Sequence, residues 1–426
     1  MPTLTQKDHV VIVDAYSGGR YLIPAFQALG YPVVHVQSGP AGPFSRDNEA
    51  AAARAEIHLV NEGDVNALVE TLRASSPRIV LAGSEGGVLL ADQLADSLDL
   101  PFRNHAGKSM ARRDKFEMQE HLRQAGVASI KQARVTDAEQ LDTWLAAHDA
   151  YPVVVKPLLS AGTEGVFVCH SRTEAHKALD AIIGSSDLFG NQNDAAVVQE
   201  FLAGVEYVIN GIACQGRYSF TDAWRSDKVD NHGFHVYDTQ YLFCEEDPGF
   251  MEITEYVGDA CRALGLVNGP FHAEVMLTDN GPVLIEVGAR IAGGADPYVV
   301  ESCLGHSQIR WLVQASLNPV AFTEARELLP AAPRSQRAAY VYLIAKTEGR
   351  VQEADLSRFL SVDGVMHVSY LYAPGDRQML TKDALTAAGV VLLTAETQEE
   401  LNDRARRIRE IEAAMYEEIL DEESAR

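Results

Sequence analysis

The chain has 426 residues, room for about two to four domains, and hydrophobic residues make up 46% of it, enough for a sizeable core. Lys and Arg number 36 against 60 Asp and Glu, a formal net charge of −24. That balance excludes general nucleic-acid binding and attraction to anionic membrane surfaces, both of which need surplus basic charge. It leaves room for one small anion in a locally basic cleft.

The opening segment, MPTLTQKDHV, carries no signal-peptide pattern, and no apolar run reaches the roughly 18 residues of a membrane span. The five cysteines, Cys169, Cys214, Cys244, Cys261 and Cys303, form no C-x-x-C pair. Scattered thiols suit a reducing compartment, so a cytoplasmic protein is expected.

In chain order, His9–Ala15 is a β-branched run followed by Ser17-Gly18-Gly19, a strand and turn leading into a helix over Tyr21–Leu29. Tyr31–Gln37 and Arg78–Gly83 are further strands, the latter followed by Ser84-Glu85-Gly86-Gly87 and an Ala/Leu-rich helix. This alternation predicts a parallel, doubly wound Rossmann-like domain. Neither glycine turn fits G-x-G-x-x-G, so no dinucleotide site is predicted. Glu85 stands at a strand's C-terminal end, where open α/β sheets place ligands; capping the next helix is its structural alternative.

Asn104–Ala125 is expected to be continuously helical, with Lys115 early in the helix. Tyr151–Lys156 is a strand running through Pro157 into the loop Ser160-Ala161-Gly162-Thr163-Glu164-Gly165, whose composition lets backbone amides approach phosphate oxygens. A plain surface hairpin has the same composition. Val166–Cys169, Ala195–Leu202 and Glu206–Ala213 are expected strands. Arg225–Pro248, acidic and aromatic without a clean period, is expected to be a long functional loop holding His232, His235, Tyr237 and Asp238. Pro330–Pro333 marks a junction. Beyond it come strands over Ala338–Ala345 and Gly389–Thr394. A last amphipathic helix carries Leu401, Ala405, Ile408, Met415 and Ile419 at helical spacing.

Residues 271–290, FHAEVMLTDNGPVLIEVGAR, hold the most informative local feature. Two apolar strands flank the turn signal Asp279-Asn280-Gly281. If the turn centres on Asn280, Glu274 and Glu286 are equidistant from it and face each other. Opposed like charges are unfavourable, and a divalent cation between them removes the conflict. A turn of even length would put them on opposite faces, as surface glutamates. Arg290 and the small residues after it favour a site for metal, phosphate and carboxylate together.

Taken in order, these pieces resemble the ATP-grasp superfamily of carboxylate–amine ligases over nearly the whole chain. The resemblance implies an α/β (α+β overall) architecture: a Rossmann-like pre-ATP-grasp domain over 1–108, an ATP-grasp domain over 109–330 with its lid at about 116–202, and a C-terminal α+β domain over 331–426. R-R-D-K-F-E-M places Lys115 as the first nucleotide lysine, and V-V-V-K-P places Lys156 as the second, serving catalysis as well as ATP. The phosphate loop is Ser160, Gly162, Thr163 and Gly165. Glu200, Phe201 and Leu202 match the adenine hinge, Glu206 the ribose contact, Glu274 and Glu286 the Mg²⁺ carboxylates, and Arg290 the arginine at the reacting phosphate. Glu85, His235, Arg290, Gly293 and Gly294 are the candidate amino-acid contacts.

Many members have Glu-x-Asn-x-Arg at the second carboxylate. Here Gly288 stands at the Asn position, so that metal ligand is missing. The E-x-x-x-R form is similar to the L-amino-acid ligases, dipeptide synthetases of the bacilysin and dapdiamide type; carnosine-synthase-like enzymes share it. The resemblance implies ATP and Mg²⁺ (or Mn²⁺) as cofactors and an acyl-phosphate route to an amide, releasing ADP and phosphate. It implies two amino acids as substrates, a homodimer, and neither nucleic-acid nor membrane partners. A purine-biosynthesis-type or carboxylase-like ATP-grasp enzyme, and a non-catalytic ATP-binding regulator, are the alternatives.

Overall fold

A computed structural model describes residues 8–160, 162, 164–293, 297–328, 336–384 and 386–419. The first unit is a four-stranded parallel sheet in the order Ile57–Val60, Val33–Gln37, Val10–Val13, Ile79–Ala82. Helices cover it, including Val65–Arg73 and Val88–Ser97, and strands Val10–Val13 and Ile79–Ala82 are buried throughout. The expected helix after Gly19 is shorter: a 3₁₀ turn at Ser17–Tyr21 precedes the α-helix Leu22–Gln27. The glycines serve close packing rather than a nucleotide. A Cβ on Gly18 would overlap the Ala292 carbonyl, and one on Gly19 that of Gly83.

The expected continuous helix over Asn104–Ala125 is instead two 3₁₀ turns, Ala106–Lys108 and Met110–Arg112, followed by the α-helix Lys115–Gln124. Asp114 is the reason. Its carboxylate accepts from the amides of Phe116 (2.8 Å) and Glu117 (3.0 Å), which makes it an N-cap and starts the helix at Lys115.

A separate four-stranded antiparallel sheet follows in the order Gln132–Val135, Ala196–Glu200, Val153–Pro157, Phe167–Cys169. Helices Ala138–His148 and Arg172–Ile182 bury Leu141, Leu145, Ala175 and Leu179 against Val153, Val155 and Val198 of this sheet.

The largest element is an eight-stranded antiparallel sheet. Its order is Gly281–Gly288, Gly269–Thr278, Val205–Cys214, Arg217–Asn231, Phe234–Phe243, Arg337–Leu343, Gly389–Ala395, Val365–Tyr370. The loop expected over Arg225–Pro248 is therefore mostly a long hairpin. A register shift between Asp227 and Lys228 interrupts the two-residue period, which hid the strands from sequence. Strands on both sides of residue 330 share this one sheet; Pro330–Pro333 themselves lie outside the described residues. The last helix, Gln398–Ile419, buries Leu401, Ala405, Ile408 and Met415 as the spacing predicts; the side chain of Ile419 lies outside the described residues.

The hairpin at 271–288 forms, by an unexpected route. Thr278 pairs with Gly281, so the turn is an even, two-residue one. A bulge then skips Ile285, and the shift sets Glu274 directly opposite Glu286.

Candidate active site

Two cavities meet at that carboxylate pair. One, of about 160 Å³, lies between the four-stranded antiparallel sheet and the eight-stranded sheet. The other, of about 540 Å³, opens toward the first sheet and the C-terminal strands. Glu274, Glu286 and Tyr237 line both.

The smaller cavity collects most of the residues matched to ATP. Lys115 and Lys156 line it with Ser160, Glu200, Phe201, Leu202 and Glu206. Lys115, at the first turn of its helix, donates through Nζ to the Ser160 carbonyl (2.8 Å) and lies 3.0 Å from Glu286 Oε2. Lys156 is only 4% exposed. Burial and the neighbouring Lys115 push its ammonium down to about 8, against the pull of Glu286, Glu274 and Glu206. Burial alone would raise Glu286, but Lys115 and Lys156 outweigh it and hold that carboxyl below the usual range. The cleft thus pairs lysines with carboxylates and leaves Lys156 short of negative charge. Glu206 is tied by Lys228 Nζ (2.6 Å) and by the Tyr237 hydroxyl (2.7 Å). Burial and the Glu206 charge hold Tyr237 protonated far above its ordinary range. Glu200 spends one carboxylate oxygen on the Lys131 amide (2.9 Å).

The larger cavity holds Glu85, Arg290, Gly162 and Gly293. Glu85 bridges two arginines rather than capping a helix. Arg290 Nε donates to its Oε2 at 2.8 Å, and Arg113 Nη1 to its Oε1 at 3.0 Å. Gly288 makes the Arg290 pair fit: a Cβ there would stand 2.6 Å from Glu85 Oε2 and 3.2 Å from the Arg290 guanidinium carbon. The position that carries Asn in many ATP-grasp enzymes is here filled by a carboxylate–guanidinium contact. Gly165 has φ +66°, which favours glycine, and a Cβ there would stand 2.9 Å from the Pro157 ring. His235 is exposed on the long hairpin and lies outside both cavities. Thr163 and Gly294 lie outside the described residues.

Sequence reasoning passed over several lining residues. His272 faces the larger cavity two residues before Glu274, a spacing that strand periodicity places on the same face. Its Nδ1 meets Asn210 Oδ1 at 2.7 Å, and its Nε2 is 3.6 Å from Glu274 Oε1. Asn210 in turn donates to Asp222 (2.6 Å), which also accepts from the Trp224 indole (2.7 Å). Ser84 lines the same cavity, with a buried hydroxyl that has no partner among the described residues. No local pattern could have shown Tyr340, Tyr342 or Leu371, which the sheet brings in from the C-terminal strands and the segment beyond them.

Residues 149–297 match the ATP-grasp domain family. Over 417 residues the chain is 48% identical to dapdiamide A synthase of Enterobacter agglomerans, covering 98% of each. The chain belongs to the ATP-grasp carboxylate–amine ligases of the dipeptide-synthetase type. The ligase is also 23% identical over 228 residues, 53% of each chain, to the L-arginine-specific L-amino acid ligase of Bacillus subtilis. The crystal structure of an L-amino acid ligase from Bacillus licheniformis superposes with a TM-score of 0.73, at 19% identity, over 95% of this chain and 98% of that one, a likeness of fold. The activity is that of an ATP-dependent, ADP-forming ligase making carbon–nitrogen bonds. No helix among the described residues is long and apolar enough to cross a membrane.

Proposed function

We propose that this ligase joins the carboxylate of one amino acid to the amine of another where its two cavities meet. The observation that carries this is the Glu274–Glu286 pair, shared by a lysine-lined cavity on one side and by the cavity of Arg290 on the other. ATP fits the first, with adenine at Glu200–Leu202, ribose at Glu206 and phosphates at Lys115, Lys156 and the loop Ser160–Gly165. The first amino acid's carboxylate attacks the γ-phosphorus, ADP leaves, and an acyl phosphate remains. The amine of the second amino acid, having lost a proton, attacks the acyl carbon. The tetrahedral adduct gives up a second nitrogen proton to the departing phosphate, collapses to the amide and releases that phosphate.

Lys115 and Lys156 would offset charge gathering on the phosphoryl group. Arg290, oriented by Glu85, would do the same for the acyl phosphate and its adduct. Ser84, with its unpartnered hydroxyl, would hold a polar group of an amino acid. The donor set fits Mg²⁺, with Mn²⁺ as an alternative: two opposed carboxylates suffice when phosphate oxygens and water complete the shell. Glu274 and Glu286 would hold the ion, which would supply charge neutralisation for the phosphates. Among the described residues no third acidic, His or Cys side chain joins them in a metal-binding group. Gly288, moreover, supplies no Asn oxygen.

We take the units as 1–108, 109–330 with a lid at about 116–202, and 331–426, the last extending the ATP-grasp sheet. A homodimer through the first unit is supported by its half-exposed edge strand Ile57–Val60. Free cysteines throughout support a cytoplasmic setting. The test is ADP and phosphate release from ATP over a matrix of L-amino-acid pairs, expected only when two amino acids are present. AMP and pyrophosphate as products would overturn the acyl-phosphate route.

A further inference from the structure

One wall of the larger cavity comes from the lid. After helix Arg172–Ile182 the chain turns through residues 184–193, and Leu188 and Phe189 there line the cavity opposite Phe44 and Asp47 of the first unit. The turn is stiff in itself. Buried Asp187 accepts from the amides of Phe189 (2.9 Å) and Asn191 (2.8 Å) and from the Asn191 side chain (2.9 Å). The Phe189 ring stacks on Phe44, with centroids 6.5 Å apart at 20°, and Phe44 stacks on Tyr16 at 6.0 Å and 12°. An aromatic ladder thus runs from the first unit into the lid.

Two glycines make room for it. A Cβ on Gly86 would stand 2.8 Å from the Phe189 ring, and one on Gly42 2.5 Å from the Leu188 carbonyl oxygen. On its other side the turn meets the glycine loop, where the Leu188 amide donates to Glu164 (3.2 Å). One short turn therefore contacts both the phosphate loop and the wall of the amino-acid cavity.

We infer that Phe189 and Leu188 are specificity-determining residues of the amino-acid site and couple its occupancy to ATP. The inference rests on the amino-acid ligase reading above. A lid drawn down over ATP seats Phe189 between Phe44 and Gly86 and completes the wall. An amino acid packed on that wall favours the seated lid in return. Linkage makes the effect mutual: ATP tightens amino-acid binding by the same factor as the amino acid tightens ATP binding.

The experiment uses the full chain, Mg²⁺ and the imido analogue of ATP. The probe is the L-amino acid giving the strongest ADP release when paired in the matrix screen. Calorimetry gives its Kd with and without the analogue. The wild-type ratio is expected to be about fivefold or more, falling toward one in Phe189→Ala and in Gly86→Ala, which crowds the ring from the opposite side. Phe189→Tyr should restore it. A merely structural role would weaken both affinities and leave the ratio intact. Independently, the analogue should slow hydrogen exchange across residues 184–193 in the wild type. A wild-type ratio of one, no slowing of exchange, or folded variants that keep the wild-type ratio would each overturn the inference. If no amino-acid pair drives ADP release in the wild type, the ligase reading fails instead, and the exchange experiment still decides whether ATP seats the turn.

Discussion

Lys156 carries the sharpest prediction at the scale of single residues. A free lysine stays protonated to about 10.5; this one loses its proton near 8 because burial and Lys115 oppose the charge. On the proposed ATP site, phosphates arriving beside it would supply the missing counter-charge and restore the proton. Below pH 8 the ammonium is already present and binding takes up little. Between pH 8 and 10.5, ATP binding should take up as much as one proton, and affinity should fall as pH rises. Calorimetry at pH 8.5 in buffers of different ionisation enthalpy measures the uptake; no uptake would show that Lys156 does not meet phosphate. Gly288 supports a second prediction. Gly288→Asn drives a side chain into the Glu85–Arg290 contact, at a cost of roughly 1–3 kcal/mol. Thermal unfolding should show the loss, and turnover should drop while ATP still binds. Turnover equal to wild type would mean that the Glu85–Arg290 contact plays no part in catalysis.

At the scale of elements, local geometry aims the charges. Lys115 reaches the cleft because Asp114 ends the irregular segment and begins a helix there. Asp114→Ala should cost about 1–2 kcal/mol of stability and raise the KM for ATP, as read from denaturant unfolding and steady-state kinetics. The first sheet holds another titrating element. His35 is fully buried, accepts from the Ala15 amide (3.3 Å) and stacks on His58 at 5.0 Å. Burial and His58 push it down to about 4. Its folded value lies below the ordinary 6.5, so its contribution is complete above that pH and is lost as pH falls toward 4. That amounts to roughly 3 kcal/mol. His35→Gln keeps an acceptor for the amide without titrating, so its acid-unfolding midpoint by circular dichroism should lie at lower pH than in the wild type.

At the scale of the whole molecule, a chain of net charge −24 binds a polyanion. The cleft is not strongly basic: Lys115, Lys156 and Lys228 face Glu286, Glu274 and Glu206. Long-range repulsion should therefore slow ATP's approach, and added salt should screen it. Stopped-flow association of a fluorescent ATP analogue is expected to speed up with KCl. Slowing would show that the cleft's local field outweighs the surface.

Much of the site was legible because the chemistry concentrates in short segments whose residue types have few other uses. Lys156 closing a β-branched strand, the Gly/Ser/Thr loop after it and the E-x-x-x-R segment are examples. The Glu274–Glu286 pairing was legible for an incomplete reason, since the turn is even and the bulge at Ile285 supplies the missing residue. The strands within Arg225–Pro248 were hidden because the register shift between Asp227 and Lys228 breaks the two-residue period. Sequence by itself determined the parallel first sheet and the strands that carry Lys156, Glu274 and Glu286, because their patterns are local. Only the tertiary structure decided which distant side chains share the larger cavity. Glu85 meets Arg290, Tyr342 joins Tyr237, and Phe189 reaches Phe44. Those contacts depend on how separate sheets dock, and docking is fixed by packing across the whole fold.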